Sequence, residues 1–231
     1  MNKKIFYMIR HGESIMNAEH LRQGREGALS ELGRQQAEKT GVRLAHIKFD
    51  AALVSPFERT KETADIICKQ IKKIRKPIEY VELLAERRNP SEIIGKSSDT
   101  PEVKKVIDII DKSFHTDDFR YSDEENFTDL RDRANELLKY LSGREEHVVL
   151  IVTHSIFLKM IAAVILEGSN LTAKKYNLMS FLNTSSNASV TVCECQDNFS
   201  FKGLFGWIFP RLKTTWRMIA WDDFTRADIQ V

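Results

Sequence analysis

A chain of 231 residues with 35 basic and 33 acidic side chains has a formal net charge of only +2. No global charge excess marks it as a nucleic-acid or membrane-surface binder, so any anion site has to come from local clustering. Its 42% hydrophobic and 29% charged residues exclude a disordered or fibrous chain, and three cysteines without a Cys-x-x-Cys pair exclude a disulfide framework and a zinc knuckle.

The first element is the apolar run Ile5-Phe6-Tyr7-Met8-Ile9, which reads as a short buried strand. It ends at Arg10-His11-Gly12-Glu13-Ser14, with Asn17 close behind. Gly12 lets the chain turn sharply and approach a ligand, and such turns at carboxyl ends of strands are where open α/β sheets bind. Arg10 offers a planar fork of donors for phosphate or carboxylate. His11 titrates near neutrality and suits a nucleophile or proton carrier. Taken alone, the motif also fits a core histidine beside an ion-paired arginine, so the rest of the chain has to decide.

A polar loop holding Gln23 and Gly24 follows. Ser30 reads as a helix cap, with apolar or small positions at Leu32, Ala37, Gly41, Leu44 and Ala45. Ala51 to Val54 is a second short strand. It enters Ser55-Pro56-Phe57-Glu58-Arg59-Thr60, read as a Ser55 cap, Pro56 at the first helical position and Glu58 closing a capping box. Phe57, Thr60, Ala64, Ile67 and Ile71 mark the buried face. Arg59 is thus expected in a first helical turn, beside free backbone amides and the positive end of the helix dipole.

Ile78 to Val81 can form a third strand, leading into Glu82 to Arg88. From Asn89 to about Tyr121, breakers at Asn89-Pro90-Ser91, Ser97-Ser98-Asp99 and Thr100-Pro101 bracket one amphipathic helix with Val103, Val106, Ile107, Ile110 and Phe114. We read 89–121 as a lid-like insert in a single domain spanning 1–231.

Phe127, Leu130, Ala134, Leu137, Leu138 and Leu141 form a helical stripe ended by Ser142-Gly143. Val148 to Val152, apolar throughout, suits a parallel strand covered on both faces. It ends at Thr153-His154-Ser155, and an apolar helix begins at Ile156. Two buried strands each deliver an imidazole to one sheet edge. His20, His46, His115 and His147 lack that setting and read as surface or structural.

Ser189 to Cys195 alternates as a strand, with Cys193 and Cys195 on one face, and Trp216 to Trp221 is its expected antiparallel partner. The run Phe201 to Phe209 between them is unusually apolar. It suits a core cover or a homo-oligomer interface, with a membrane-surface contact helped by Arg211 and Lys213 as the lesser reading. No apolar stretch is long enough to span a bilayer and the apolar N-terminal run is too short for a signal peptide. With unpaired cysteines, a reducing, cytoplasmic setting is expected.

Four motifs now stand in order: Arg10-His11-Gly12-Glu13 with Asn17, Ser55-Pro56-x-x-Arg59-Thr60 with Thr63-Ala64, Leu84-x-Glu86, and Thr153-His154-Ser155. With Leu29-Ser30-x-x-Gly33-x-x-Gln36-Ala37, they resemble the histidine phosphatase superfamily, or phosphoglycerate-mutase-like family, over most of residues 1–195. The resemblance implies an α/β three-layer sandwich with a mostly parallel central sheet, helices on both faces and a helical insert over the site. It implies that His11 is the nucleophile that becomes phosphohistidine. Arg10, Arg59 and His154 would hold the phosphoryl oxygens, helped by Asn17 and backbone of the Gln23-Gly24 loop. Glu86 would protonate the leaving oxygen and then activate water. No metal or cofactor is implied, and the partner is a small phosphorylated substrate rather than nucleic acid.

Two departures matter. Gly27-Ala28-Leu29-Ser30 stands where the family often has Asp-x-Pro-Leu-Thr. Arg87-Arg88-Asn89-Pro90-Ser91-Glu92 replaces a commonly Gly-containing run, which leaves Glu82 and Glu92 as rivals for the acid. Around Arg59-Thr60 and Ala85 to Asn89 the chain resembles the phosphatases of the family more than its mutases. The expected activity is therefore metal-independent phosphomonoester hydrolysis. A mutase-type phosphotransferase and a catalytically silent phospho-ligand binder are the alternatives.

Overall fold

The computed structural model describes residues 3–71, 74–114, 116–179, 185–204 and 207–223. The apolar runs become strands β1 (Lys3–Arg10), β2 (Ala51–Val54), β3 (Glu79–Tyr80), β4 (Val148–Thr153), β5 (Val190–Leu204) and β6 (Trp207–Asp223). They form one sheet in the order β3-β2-β4-β1-β5-β6. The first three pairings are parallel and the two involving β5 are antiparallel. Strand alternation sends successive side chains to opposite faces. Phe6 and Met8 of β1, with Val149 and Ile151 of β4, pack against helices α5 (Phe127–Ser142) and α6 (Ser155–Glu167). Tyr7, Ile9 and Leu150 face α2 (Glu31–Leu44) and α3 (Glu58–Gln70). The result is an α/β sandwich with helices on both faces, as expected. Each large apolar side chain sealed between the layers contributes roughly 1.5–3 kcal/mol. The stripe on α5 is buried at every predicted position.

The register of the two central strands positions the site. Arg10 lies opposite Thr153, so His11 and His154 leave the sheet side by side. The His11 amide donates to the Thr153 carbonyl at 3.0 Å. The turn at Gly12 then packs on the start of α2. A Cβ on Gly33 would lie 1.9 Å from the Glu13 carbonyl oxygen, and one on Gly12 would lie 2.4 Å from that of Gly33. Only two glycines let these backbones approach so closely. Ser30 caps α2 as predicted, its hydroxyl accepting from the Gly33 amide at 3.0 Å.

Some expectations are corrected. Leu32 is 51% exposed, because the buried face of α2 is the row Gly33, Ala37, Thr40, Gly41 and Leu44, whose small residues admit α3. The capping box at Ser55 does not form. Helix α3 starts at Glu58, with Phe57 at the capping position and no side-chain cap. The Ser55 hydroxyl is used by His154, and the Glu58 carboxylate accepts from the Gly27 amide at 2.9 Å. The predicted third strand shrinks to Glu79–Tyr80.

Residues 89–121 hold α4 (Pro101–Ser113), whose Val103 and Ile110 make a small cluster with Ile93, apart from the main core. Backbone bonds tie it to the loop after the short turn α1 (Ile15–Ala18): Arg22 to Lys96, Gly95 to Arg22 and Ser98 to His20, at 2.8–3.0 Å. A last helix, α7 (Ala173–Leu178), precedes β5. Cys193 and Cys195 fill the core beneath α6, and Trp216 pairs with Cys195 as the strand partner predicted. His115, residues 205 and 206, and the side chains of 201–204 and 207–213 lie outside the described residues, and with them the expectation for the apolar run 201–209. Among the described residues no helix is long and apolar enough to cross a membrane.

Candidate active site

His11 sits at the tip of β1 and is only 3% exposed. Its Nδ1 is 2.6 Å from the Gly12 carbonyl oxygen, and its Nε2 accepts from Nε of Arg59 at 3.3 Å. A carbonyl only accepts and a guanidinium only donates. The proton is therefore on Nδ1, and Nε2 presents its lone pair towards Arg59. Burial, then the charges of Arg59 and Arg10, hold the His11 pKa well below the usual 6.5, although the Gly12 contact opposes the shift. The ring is neutral at physiological pH, as a nucleophile requires. The surrounding backbone is pinned from three sides. The Gly12 amide donates to Thr63 Oγ1 at 3.1 Å, the Glu13 amide to Gln36 Oε1 at 2.9 Å, and Asn187 Nδ2 to the His11 carbonyl at 3.2 Å.

His154, at the start of α6, is wholly buried, with its ring centre 5.2 Å from that of His11. Its Nε2 pairs with Ser55 Oγ at 2.7 Å, while Nδ1 has no partner. Burial, then Arg59 and His11, push its pKa well down as well. A dianion brought close would reverse that balance and favour the protonated ring.

Arg59 occupies the first turn of α3, as predicted, and is 2% exposed. Besides His11 it donates to the Gly24 carbonyl at 2.9 Å. Its pKa falls to about 10, through burial and despite attraction by Glu86, so it stays a cation. Arg10 donates from Nη1 to the Ser185 carbonyl, and its buried Nε is unpartnered. Neither arginine forms an ion pair among the described residues. Two desolvated guanidinium groups that Glu86 attracts but no carboxylate pairs are chemically suited to hold an anion.

Both arginines and His11 line one polar cavity of 270 Å³, with Asn17, Gln23 and Glu86. The Ser14 hydroxyl lies 3.0 Å from Asn17 Oδ1 and 2.9 Å from Gln23 Oε1, fixing those amides. Gly24 lies in the adjoining cavity and acts here through its carbonyl, which orients Arg59. The Glu86 carboxylate accepts from the amides of Arg87 (2.8 Å), Phe157 (3.0 Å) and Ile156 (3.2 Å), docking on the N-terminus of α6. Of its rivals, Glu82 is exposed and paired with Arg25 at 2.5 Å, and Glu92 is exposed on the insert. Neither lines the His11 cavity.

Sequence reasoning missed other lining residues. His20, read as surface or structural, is exposed but borders this cavity, as do Arg22 and Ser155. His46 and His147 are exposed, in keeping with their reading. No group of three or more His, Cys, Asp or Glu among the described residues is placed to hold a metal ion.

The model of the histidine phosphatase superfamily (branch 1) matches residues 6–202. The chain belongs to the histidine phosphatase superfamily. Among curated relatives, the probable fructose-2,6-bisphosphatase TIGAR A of Danio rerio is 36% identical over 104 residues, 44% of this chain and 38% of its own. The probable phosphoglycerate mutase GpmB of Erwinia tasmaniensis is 40% identical over 62 residues, 26% of this chain and 29% of its own. The matches thus span well under half of those relatives. Among solved structures, mycobacterial hydrolase 1 superposes with a TM-score of 0.73 at 18% identity, covering 96% of this chain and 99% of that one.

In this member of the histidine phosphatase superfamily two buried neutral imidazoles make stability depend on pH. Both have folded pKa values below the unfolded 6.5, so the unfolded state binds more protons in acid. Their contribution is whole above pH 6.5 and is lost as pH falls below it, at up to about 1.4 kcal/mol per pH unit for each ring. Melting temperatures from pH 7.5 to 5.5 should fall accordingly, and less steeply in His154→Gln. A flat profile would contradict the neutral assignment.

Proposed function

We propose that the chain is a metal-independent phosphomonoester hydrolase that acts on a small phosphorylated metabolite through phosphohistidine at His11. One observation carries this reading: His11, with the lone pair on Nε2, lines a cavity with the buried Arg59 and the half-buried Arg10, neither of which forms an ion pair among the described residues. A phosphate monoester dianion would be drawn to Arg10 and Arg59, placing phosphorus in front of Nε2. Phosphoryl transfer needs mainly such positioning and charge. The N–P bond forms as the ester P–O bond breaks, and a proton passes by way of the Glu86 carboxyl to the leaving oxygen. Glu86 then takes a proton from water as water attacks phosphorus, returning His11 and inorganic phosphate. His154 bonds the phosphoryl group through its unpartnered Nδ1, with Asn17 and Gln23 at its rim. The insert 89–121, tied to the Arg22 loop, acts as the lid that selects substrate. The three free cysteines, Cys68, Cys193 and Cys195, suit a reducing, cytoplasmic setting.

The test is a screen of phosphorylated metabolites for phosphate release in the presence of a chelator. Release that persists is expected. Hydrolysis that stops on chelation would sink the metal-free reading, and positional exchange without released phosphate would make the chain a mutase.

A further inference from the structure

Arg10 has a single hydrogen bond among the described residues, from Nη1 to the carbonyl of Ser185. Its guanidinium is therefore aimed by a loop 175 residues further along the chain. The same loop holds the backbone of the nucleophile. The Ala188 amide donates to the carbonyls of Arg10 at 3.1 Å and of His11 at 3.3 Å, and Asn187 Nδ2 donates to the His11 carbonyl at 3.2 Å. Thr40 of α2 closes the far side, its hydroxyl donating to the Ala188 carbonyl at 2.7 Å.

The loop is held in turn by Asp222, near the end of β6. Its carboxylate accepts from the Ser186 amide at 2.5 Å and from the Ser186 hydroxyl at 3.2 Å, while its own amide donates to Thr191 Oγ1 at 3.3 Å. The backbone bends to deliver this carboxylate. Val190 pairs with Asp223 and Val192 with Ala220, so β6 carries one residue more than β5 across the gap. Such a bulge re-aims a side chain beside a site. Asp222 lies in it at φ 49°, and Ala188 has φ 55°. Among the described non-glycine residues only His20 shares that left-handed conformation. It costs roughly 1–3 kcal/mol at each position and persists where surrounding bonds over-determine it. Two of the three such residues thus fall in one clasp behind Arg10 and His11, and neither lines the His11 cavity.

We propose that Asp222 is a positioning residue for phosphoryl transfer: by holding Ser186 it fixes the loop 185–188 that aims Arg10 and braces the His11 backbone. The inference rests on the His11 cavity being the phosphomonoester site. Asp222 forms no ion pair with Arg10 among the described residues, yet after Glu86 it attracts that guanidinium at a distance, against the lowering of the arginine's pKa by burial. Position and charge are therefore separated by experiment.

Three substitutions do so. Asp222→Asn loses the charge but keeps the shape, the tolerance of a left-handed backbone, an oxygen for the Ser186 amide and a donor for its hydroxyl. Asp222→Glu keeps the charge and shifts the carboxylate by a methylene. Asp222→Gly removes the side chain without straining the backbone. Phosphorylation of His11 in a single turnover, with a substrate from the metabolite screen, is followed by rapid quench. Asp222→Gly and Asp222→Glu should label fully but with a rate constant about 10–100-fold lower, the effect of misplacing a group by about 1 Å. Asp222→Asn should recover most of the wild-type rate. A purely structural role would lower the labelled fraction and leave the rate constant alone. If Asp222→Gly does not fold, the comparison of Asp222→Asn with Asp222→Glu decides. Unchanged rate constants, or the reverse order with Asp222→Glu near wild type and Asp222→Asn impaired, would overturn the clasp and leave the hydrolase standing. If the wild type takes no label, orthophosphate is titrated into the same proteins. Weaker binding in Asp222→Gly and Asp222→Glu that recovers in Asp222→Asn would keep the clasp and discard the hydrolase reading, and equal or absent binding would discard the clasp.

Discussion

Arg59→Met is expected to lose about three orders of magnitude in kcat/KM while melting no lower than the wild type. Two unit charges about 4 Å apart interact by about 4 kcal/mol at an effective dielectric of ~20, which is roughly a thousandfold in rate at 1.36 kcal/mol per decade. Methionine keeps most of the side-chain volume, so packing is spared. It also removes a buried cation that forms no ion pair among the described residues and that Glu86 offsets only in part, a group whose burial opposes folding. Activity and stability should therefore move in opposite directions, as expected where strain is kept for function. Arg59→Lys should not restore activity, because one ammonium does not reproduce the fork that reaches both Gly24 and His11. The pH profile supplies a second reading. Arg59 helps hold the His11 pKa down, so its loss should move the acid limb of the rate upward, towards neutrality. An unmoved acid limb with a merely lower plateau would mean that Arg59 binds substrate without tuning the nucleophile.

Much of this arrangement was legible in the sequence, because its key signals are local. An apolar run followed by Arg-His-Gly predicts β1 and its tip, and Val148 to His154 predicts the second strand and imidazole. Their convergence follows from the register of Arg10 against Thr153, which two buried parallel strands make natural. Ser55 was read as a cap because sequence spacing reports only neighbours three or four residues away. Its real partner, His154, is 99 residues distant. Leu32 failed for a related reason: the face of α2 is chosen by the small residues that let α3 approach, not by the largest apolar side chain.

His11→Ala should abolish turnover, by more than about 10⁴-fold, and also abolish a covalent intermediate that the wild type forms. On rapid mixing with a labelled phosphorylated substrate the wild type should trap one acid-labile, base-stable phosphoryl group. The geometry names the atom: Nδ1 is held by the Gly12 carbonyl at 2.6 Å, so Nε2, whose one contact is the longer 3.3 Å bond from Arg59, is the nitrogen left to take phosphorus. That same contact carries through the cycle. On the proposed route a phosphorylated Nε2 would leave the ring cationic, and the Gly12 carbonyl, still accepting from Nδ1, would steady the positive charge with the bond that selected the tautomer. His154 has its Nε2 occupied by Ser55, and on the proposed route its unpartnered Nδ1 bonds the phosphoryl oxygens rather than attacking phosphorus. Two-dimensional NMR of quenched protein should place the phosphoryl group on Nε2 of His11. A label on Nδ1, or one that persists in His11→Ala, would mean that the imidazole facing Arg59 is a bystander and that the chemistry runs through another group.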